Sequence, residues 1–234
     1  MTLPKQLPLH FEFRANQSFN DFYAGSNLEV VTHLKNSLST HGEKLIFIWG
    51  EAGLGKSHLL QACCHEAQNQ ALSSFYFSLD ADRLPAADLL TDLETFEVVC
   101  FDNIEQIAGH KDWELAFFNF YNRHRALNHT LILSAKDAPN TIPLDLPDLK
   151  TRLAWGLTLK IQPLSDEEKI AALICKAKQR GFEISPKAVQ FLLSRYDRNL
   201  SSLWVLLAQL DHASLAAKRK ITIPFLRQIL SEQS

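Results

Sequence analysis

A chain of 234 residues with 46% hydrophobic content buries a sizeable core, so length and composition predict one α/β domain plus a small second one rather than a disordered segment. Charged residues make up 21% and the formal net charge is −2, which excludes a global basic pull toward nucleic acid or anionic lipid. No apolar run reaches the roughly 18 residues of a membrane span, and residues 1–13 lack a positive stretch followed by an apolar one. The expected setting is therefore the cytoplasm, with no membrane partner.

In chain order, residues 1–15 read as a flexible N-terminal segment. Five runs rich in β-formers follow, at 45–49, 74–78, 98–102, 131–135 and 157–161. Between them, residues 58–71 and 113–127 place apolar side chains three and four apart, the mark of amphipathic helices covering a parallel sheet. After Pro163 the strands stop and the punctuation becomes helical. Ser165 with Glu168 spells a capping box, Gly181 a helix stop, and Ser185-Pro186 and Ile223-Pro224 new starts. The expected division is residues 16–162 as an α/β domain with a five-stranded parallel sheet, and 163–234 as a small all-helical domain. Cys63, Cys64, Cys100 and Cys175 sit in apolar runs without metal-ligand spacing and read as reduced core thiols.

The chemistry begins after the first strand. Gly50-Glu51-Ala52-Gly53-Leu54-Gly55-Lys56-Ser57 matches G-x-x-x-x-G-K-[ST] in full, with a strand before it and a helix after it. Glycines let the backbone wrap phosphates, and the amides of the following helix N-terminus face the anion. The expected nucleotide contacts are Gly50, Gly53, Leu54, Gly55, Lys56, Ser57 and His58, with Lys56 on the outer phosphates and the Ser57 hydroxyl on Mg²⁺. The third strand, Val98-Val99-Cys100-Phe101-Asp102, ends in a carboxylate suited to a second Mg²⁺ anchor. Many AAA+ ATPases follow that aspartate with a glutamate that polarises water; here Asn103 stands in its place and cannot take a proton. Slow unaided hydrolysis is the consequence. Ser134, at a strand end, is open to two readings, a γ-phosphate sensor or a structural hydroxyl. Phe19, Phe22 and Tyr23 are open to two as well, a wall for the adenine base or core packing.

The phosphate loop, Phe101-Asp102-Asn103-Ile104-Glu105, Leu146-Pro147-Asp148-Leu149, Arg152-Leu153-Ala154-Trp155-Gly156-Leu157 and Ile221-Thr222-Ile223-Pro224-Phe225 together resemble the Hda family of AAA+ proteins, the DnaA-related regulatory inactivators of the bacterial replication initiator. The likeness runs from about residue 6 to about residue 230. It implies a negative regulator of replication initiation that binds an adenine nucleotide (ADP or ATP) with Mg²⁺. With the DNA-loaded sliding clamp, such a protein makes ATP-bound DnaA hydrolyse its nucleotide. Arg152 stands where that family carries an arginine finger supplied in trans, and arginine keeps its charge and fork geometry when desolvated. A surface salt bridge is the plainer alternative.

Gln6-Leu7-Pro8-Leu9-His10-Phe11 resembles the family's clamp-binding peptide, with Leu7, Leu9 and Phe11 for an apolar groove and the Gln6 amide for its rim. Pro8 and His10 depart from the commonest spelling. The second-sensor arginine of AAA+ lids is replaced by Ser201, which leaves Arg198, three residues earlier, as the candidate substitute on roughly the same helix face. The chain ends at Ser234 without room for the initiator's DNA-reading domain, so DNA is expected only indirectly, through the clamp. Basic clusters at Arg123-His124-Arg125, Lys176 with Lys178 and Arg180, and Lys218-Arg219-Lys220 read as solvated helix faces. Self-association stays open. The enzyme-class rival is a self-sufficient ATPase such as a helicase loader, against which Asn103 and Ser201 count; a small-molecule kinase would need a substrate lid that the helical part does not offer.

Overall fold

The computed structural model describes residues 17–196, 199–217, 221–224 and 226–227. The five β-forming runs become β1 (Leu45–Trp49), β2 (Ser74–Ser78), β3 (Val98–Asp102), β4 (Thr130–Ala135) and β5 (Leu157–Lys160), paired in parallel in the order β2-β3-β4-β1-β5. The apolar runs explain that order. Every residue of β3 and β4 is buried, as central strands covered on both faces must be, whereas β5 at the edge alternates between half-buried and exposed.

Helices α1 (Leu28–Ser37), α2 (Lys56–Asn69), α3 (Lys111–Ala126) and α4 (Pro147–Leu153) complete the α/β unit. Trp113, Phe117, Phe120, Tyr121 and His124 recur along α3 at helical spacing and are all buried. Phe101 of β3 meets Phe117 and Phe120 edge-on, at centroid distances of 5.2 and 5.8 Å. Burying rings of this size contributes about 1.5–3 kcal/mol each, so the β3–α3 contact is a main anchor of the strand that carries Asp102.

Two compact units divide the chain. The second gathers residues 162–234 with the short pieces 23–27 and 52–54. Within it lie α5 (Asp166–Gln179), α6 (Pro186–Arg195) and α7 (Leu200–Ala217), packed around Leu173, Val189, Leu192, Leu207 and Leu210. The capping box forms as spelled: Ser165 Oγ accepts from the Glu168 amide and Glu168 Oε2 accepts from the Ser165 amide at 2.8 Å. The other Glu168 oxygen accepts from the Ser26 amide at 2.6 Å, tying the 23–27 piece to this unit. Ser185 caps α6 through the Ala188 amide, with Pro186 at its first position. Among the described residues no helix is long and apolar enough to cross a membrane.

Three of the expected core thiols, those of Cys63, Cys64 and Cys100, are buried and free, but Cys175 is exposed on α5. The expectation of a fourth core thiol is thereby corrected: an apolar run in an amphipathic helix still has a solvent face.

Candidate functional site

Three parallel strands set the site. Registers Phe101↔Leu133 and Ile48↔Ser134 bring the carboxyl ends of β3, β4 and β1 side by side, where open α/β sheets place their ligands. The chain leaves β1 through Gly50 at φ 152°, passes Gly53 at φ 79° and Gly55 at φ 91°, and enters α2 at Lys56. Side-chain-bearing residues rarely adopt the last two of these conformations. A Cβ at Gly55 would also lie 2.8 Å from Phe22 Cε2, so the loop needs glycine there twice over. The Lys56 ammonium folds back onto the loop, donating to the carbonyls of Gly50 (2.6 Å) and Glu51 (2.8 Å). Burial lowers its pKa, while Asp102, Glu105 and Asp137 pull it back upward. An ammonium held among acids and loop carbonyls is a cation ready to meet phosphate oxygens. Ser57 is exposed in the first turn of α2.

Asp102 is 1% exposed, and both its oxygens have donors. The Ser134 hydroxyl donates to Oδ1 and the Tyr76 phenol to Oδ2, the latter at 3.1 Å. Burial, and then the charge of Asp102, hold the Tyr76 phenol well above its usual pKa, so it stays a donor. Sequence reasoning missed Tyr76, because nothing in Ser74-Phe75-Tyr76-Phe77-Ser78 reveals which neighbour a strand residue faces. Of the two readings for Ser134, the structural one has partners: its oxygen also accepts from the Asn103 amide at 3.2 Å. A hydroxyl so engaged braces the aspartate. Asn103 itself adopts left-handed backbone (φ 62°, ψ 50°), which asparagine tolerates better than most residues.

Hydroxyl and carboxylate oxygens at a strand tip, beside a glycine-rich loop, form the hard donor set that Mg²⁺ selects, so Ser57 and Asp102 fit the ion in chemistry. When bound, Mg²⁺ neutralises charge on the phosphate oxygens. The His58 side chain has local partners: Nε2 lies 2.9 Å from the Ser18 carbonyl, and its ring packs against Phe22 at 5.7 Å. Phe22 therefore stands at the start of α2 beside Gly55, whereas Phe19 is core, 8% exposed. Within the second unit, the Asn199 side chain lies 2.8 Å from where a Cβ at Gly53 would sit.

Arg152 rides on α4, a short helix pinned at both ends. Leu149 and Leu153, four apart, are fully buried beneath it. At its start the buried carboxylate of Glu114 accepts from the amides of Gly109 (2.9 Å), Asp145 (3.1 Å) and Leu146 (2.7 Å). Glu114 is a second residue that sequence reasoning missed, since an acid in the first turn of α3 reads as a dipole partner. Arg152 is half-buried, with Cζ 4.5 Å from the Trp155 ring centroid and 5.7 Å from that of Phe118. Among the described residues no ion pair engages it, so the salt-bridge alternative finds no carboxylate.

Compared with known proteins, residues 13–160 match the family described as the bacterial DnaA ATPase domain, and residues 166–230 match the Hda lid domain. The chain belongs to the bacterial DnaA ATPase-domain family. It is thus a DnaA-related AAA+ protein whose helical part is of the Hda type, and such a domain binds nucleotide with Mg²⁺. Solved structures agree in fold. Domain III of the Thermotoga maritima replication initiation protein DnaA superposes with TM-score 0.76 at 18% identity, covering 97% of this chain and 98% of that one. AMPPCP-bound DnaA from Aquifex aeolicus gives 0.71 at 22% identity, covering 85% of this chain. The Thermotoga maritima RuvB Holliday junction branch migration motor gives 0.70 at 16%, covering 94% of this chain and 73% of that one. The chain spans just under two thirds (66%) of that Aquifex aeolicus DnaA chain and of a DnaA solved with AMPPCP and single-stranded DNA.

Other sequence expectations divide. Arg123-His124-Arg125 is a solvated face only in part: Arg123 and Arg125 are exposed, the first pairing with Glu94 at 2.5 Å and the second lying over Trp155 at 5.0 Å, whereas His124 is 1% exposed. The turn of a helix sends three successive residues in three directions. Arg180 approaches Asp211 at 4.0 Å. Gln6, Leu7, Leu9, Phe11 and Arg198, with Lys218-Arg219-Lys220, lie outside the described residues.

Proposed function

We propose that this protein is a negative regulator of replication initiation that lends Arg152 to the nucleotide site of ATP-bound DnaA and so speeds hydrolysis there. The observation that carries the reading is the presentation of Arg152: a guanidinium on a helix pinned by Glu114, Leu149 and Leu153, touching ring faces and, among the described residues, no carboxylate. A cation so placed keeps its charge available for phosphoryl oxygens of a neighbouring molecule, where such a finger is worth on the order of 10³ to 10⁵ in rate. The kinship with DnaA ATPase domains supports it, because subunits of like fold can pair site to finger.

The chain's own site serves to hold ADP or ATP with Mg²⁺, through the 50–58 loop, Lys56, Ser57 and Asp102, with Phe22 beside the base. Asn103 leaves that site without a proton acceptor after Asp102, so its own turnover is slow. Gln6, Leu7, Leu9 and Phe11 dock on the DNA-loaded sliding clamp, through which DNA is met indirectly, and Arg198 answers to the nucleotide in place of an arginine at Ser201.

The test is ATP turnover in a mixture of initiator, clamp on DNA and this protein. Strong stimulation should vanish with Arg152→Ala and persist when Lys56→Ala disables the chain's own loop. The opposite pattern, loss with Lys56→Ala and persistence with Arg152→Ala, would instead identify a self-sufficient ATPase such as a helicase loader.

A further inference from the structure

Trp155 follows α4 by two residues and is 55% exposed, one of few large apolar side chains left open among the described residues. Exposure of an indole costs free energy, so its surroundings matter. Its ring holds Arg152 at 4.5 Å and Arg125 at 5.0 Å, and Phe118 adds a second ring 5.7 Å from the Arg152 guanidinium. Trp155 also lines a cavity of about 270 Å³, three of whose polar side chains already have backbone partners. His124 bonds the Phe96 carbonyl, His129 the Glu94 carbonyl, and Lys44 the carbonyls of Ser37 and Ser39.

We infer that Trp155, helped by Phe118, is a positioning residue that holds the Arg152 guanidinium at the surface in the geometry used on a partner's phosphate. The inference rests on the reading of Arg152 as a finger. A guanidinium is planar; ring contact takes its face and leaves its N–H edge for oxygen acceptors, so the seat persists while the cation works. Arginine otherwise carries large side-chain freedom, and confining it before the encounter removes that cost from the transition state. A cation over an aromatic face gains about twofold to thirtyfold in population, depending on desolvation. Arg125 on the same indole restrains the ring and, as a like charge, disfavours burial of Arg152 deeper in the protein.

The experiment measures single-turnover hydrolysis of initiator-bound ATP, with clamp on DNA, against the concentration of this protein. Trp155→Ala should lower the maximal rate about tenfold and move the half-saturating concentration less than about twofold, while Trp155→Phe keeps the rate within about threefold. In an Arg152→Ala background, Trp155→Ala should add nothing. Unchanged maximal rate, whether or not half-saturation rises, overturns the seat; a rise alone would mean that the indole merely touches the partner. If Arg152→Ala retains stimulation, the finger reading itself has failed. With Arg152→Ala inactive and Trp155→Ala normal, only the seat has.

A partner-free readout guards against misfolded variants. The chain has four tryptophans, so 5-fluorotryptophan labelling yields separate ¹⁹F resonances, with that of Trp155 assigned through Trp155→Phe. Arg152→Gln should shift that resonance and spare those of Trp49, Trp113 and Trp204; an unmoved Trp155 signal overturns the proposal.

Discussion

Ser134→Ala tests how the buried Asp102 carboxylate is held. The hydroxyl is fully buried, donates to Asp102 and accepts from the Asn103 amide at 3.2 Å. Its removal takes one donor from a buried carboxylate, a loss of about 1.5–3 kcal/mol, and leaves a partly buried amide unpaired at about 1 kcal/mol more. A total near 3 kcal/mol corresponds to roughly 6–12 °C in melting temperature for a chain of this size. The assay is thermal unfolding with and without Mg²⁺-nucleotide, paired with equilibrium titrations of di- and triphosphate. A brace predicts a lower melting temperature and weakened binding of both nucleotides alike. A γ-phosphate sensor predicts little change in stability and a loss confined to the triphosphate, which would refute the reasoning.

His124 sets an acid limit. Burial, and then the neighbouring His129, push its pKa down to about 4, against the opposing pull of the Phe96 carbonyl and Glu94. Because the folded value lies below the unfolded one near 6.5, this contribution is complete above that pH and is lost as pH falls toward 4, with a ceiling of about 3 kcal/mol. Urea midpoints at pH 7.5 and pH 5 should differ accordingly; equal midpoints would show the imidazole to be less constrained than its surroundings suggest. Gly55→Ala imposes φ 91° on a residue with a Cβ and drives that Cβ to 2.8 Å from Phe22. It should cost about 1–2 kcal/mol of strain and weaken nucleotide binding, and wild-type affinity by titration calorimetry would contradict the loop's proposed fit.

Sheet and phosphate loop were legible because their signals are local. Runs such as Leu45-Ile46-Phe47-Ile48-Trp49 are too apolar and β-prone for anything but a buried strand, and β1, β2 and β3 fall at the expected residues. β4 begins one residue earlier than expected, at Thr130, whose hydroxyl donates to the Ser37 carbonyl at 3.0 Å. That partner is 93 positions away and leaves no trace in a window of sequence. The same limit explains Tyr76 and Glu114, whose roles exist only across the fold. No sequence expectation covered α4: seven residues carry too little periodicity to declare a helix, and burial of Leu149 and Leu153 supplies what propensity does not. Conversely, Arg123-His124-Arg125 read as one charged face and resolves into an ion pair, a buried neutral ring and a cation on an indole.

The most direct trial of the finger is release of phosphate from initiator preloaded with labelled ATP, on clamp-bound DNA, in a single turnover at saturating protein. Wild type should accelerate release by orders of magnitude, and Arg152→Ala should return it to the initiator's own rate while still binding nucleotide and clamp. Acceleration undiminished in Arg152→Ala would contradict the account.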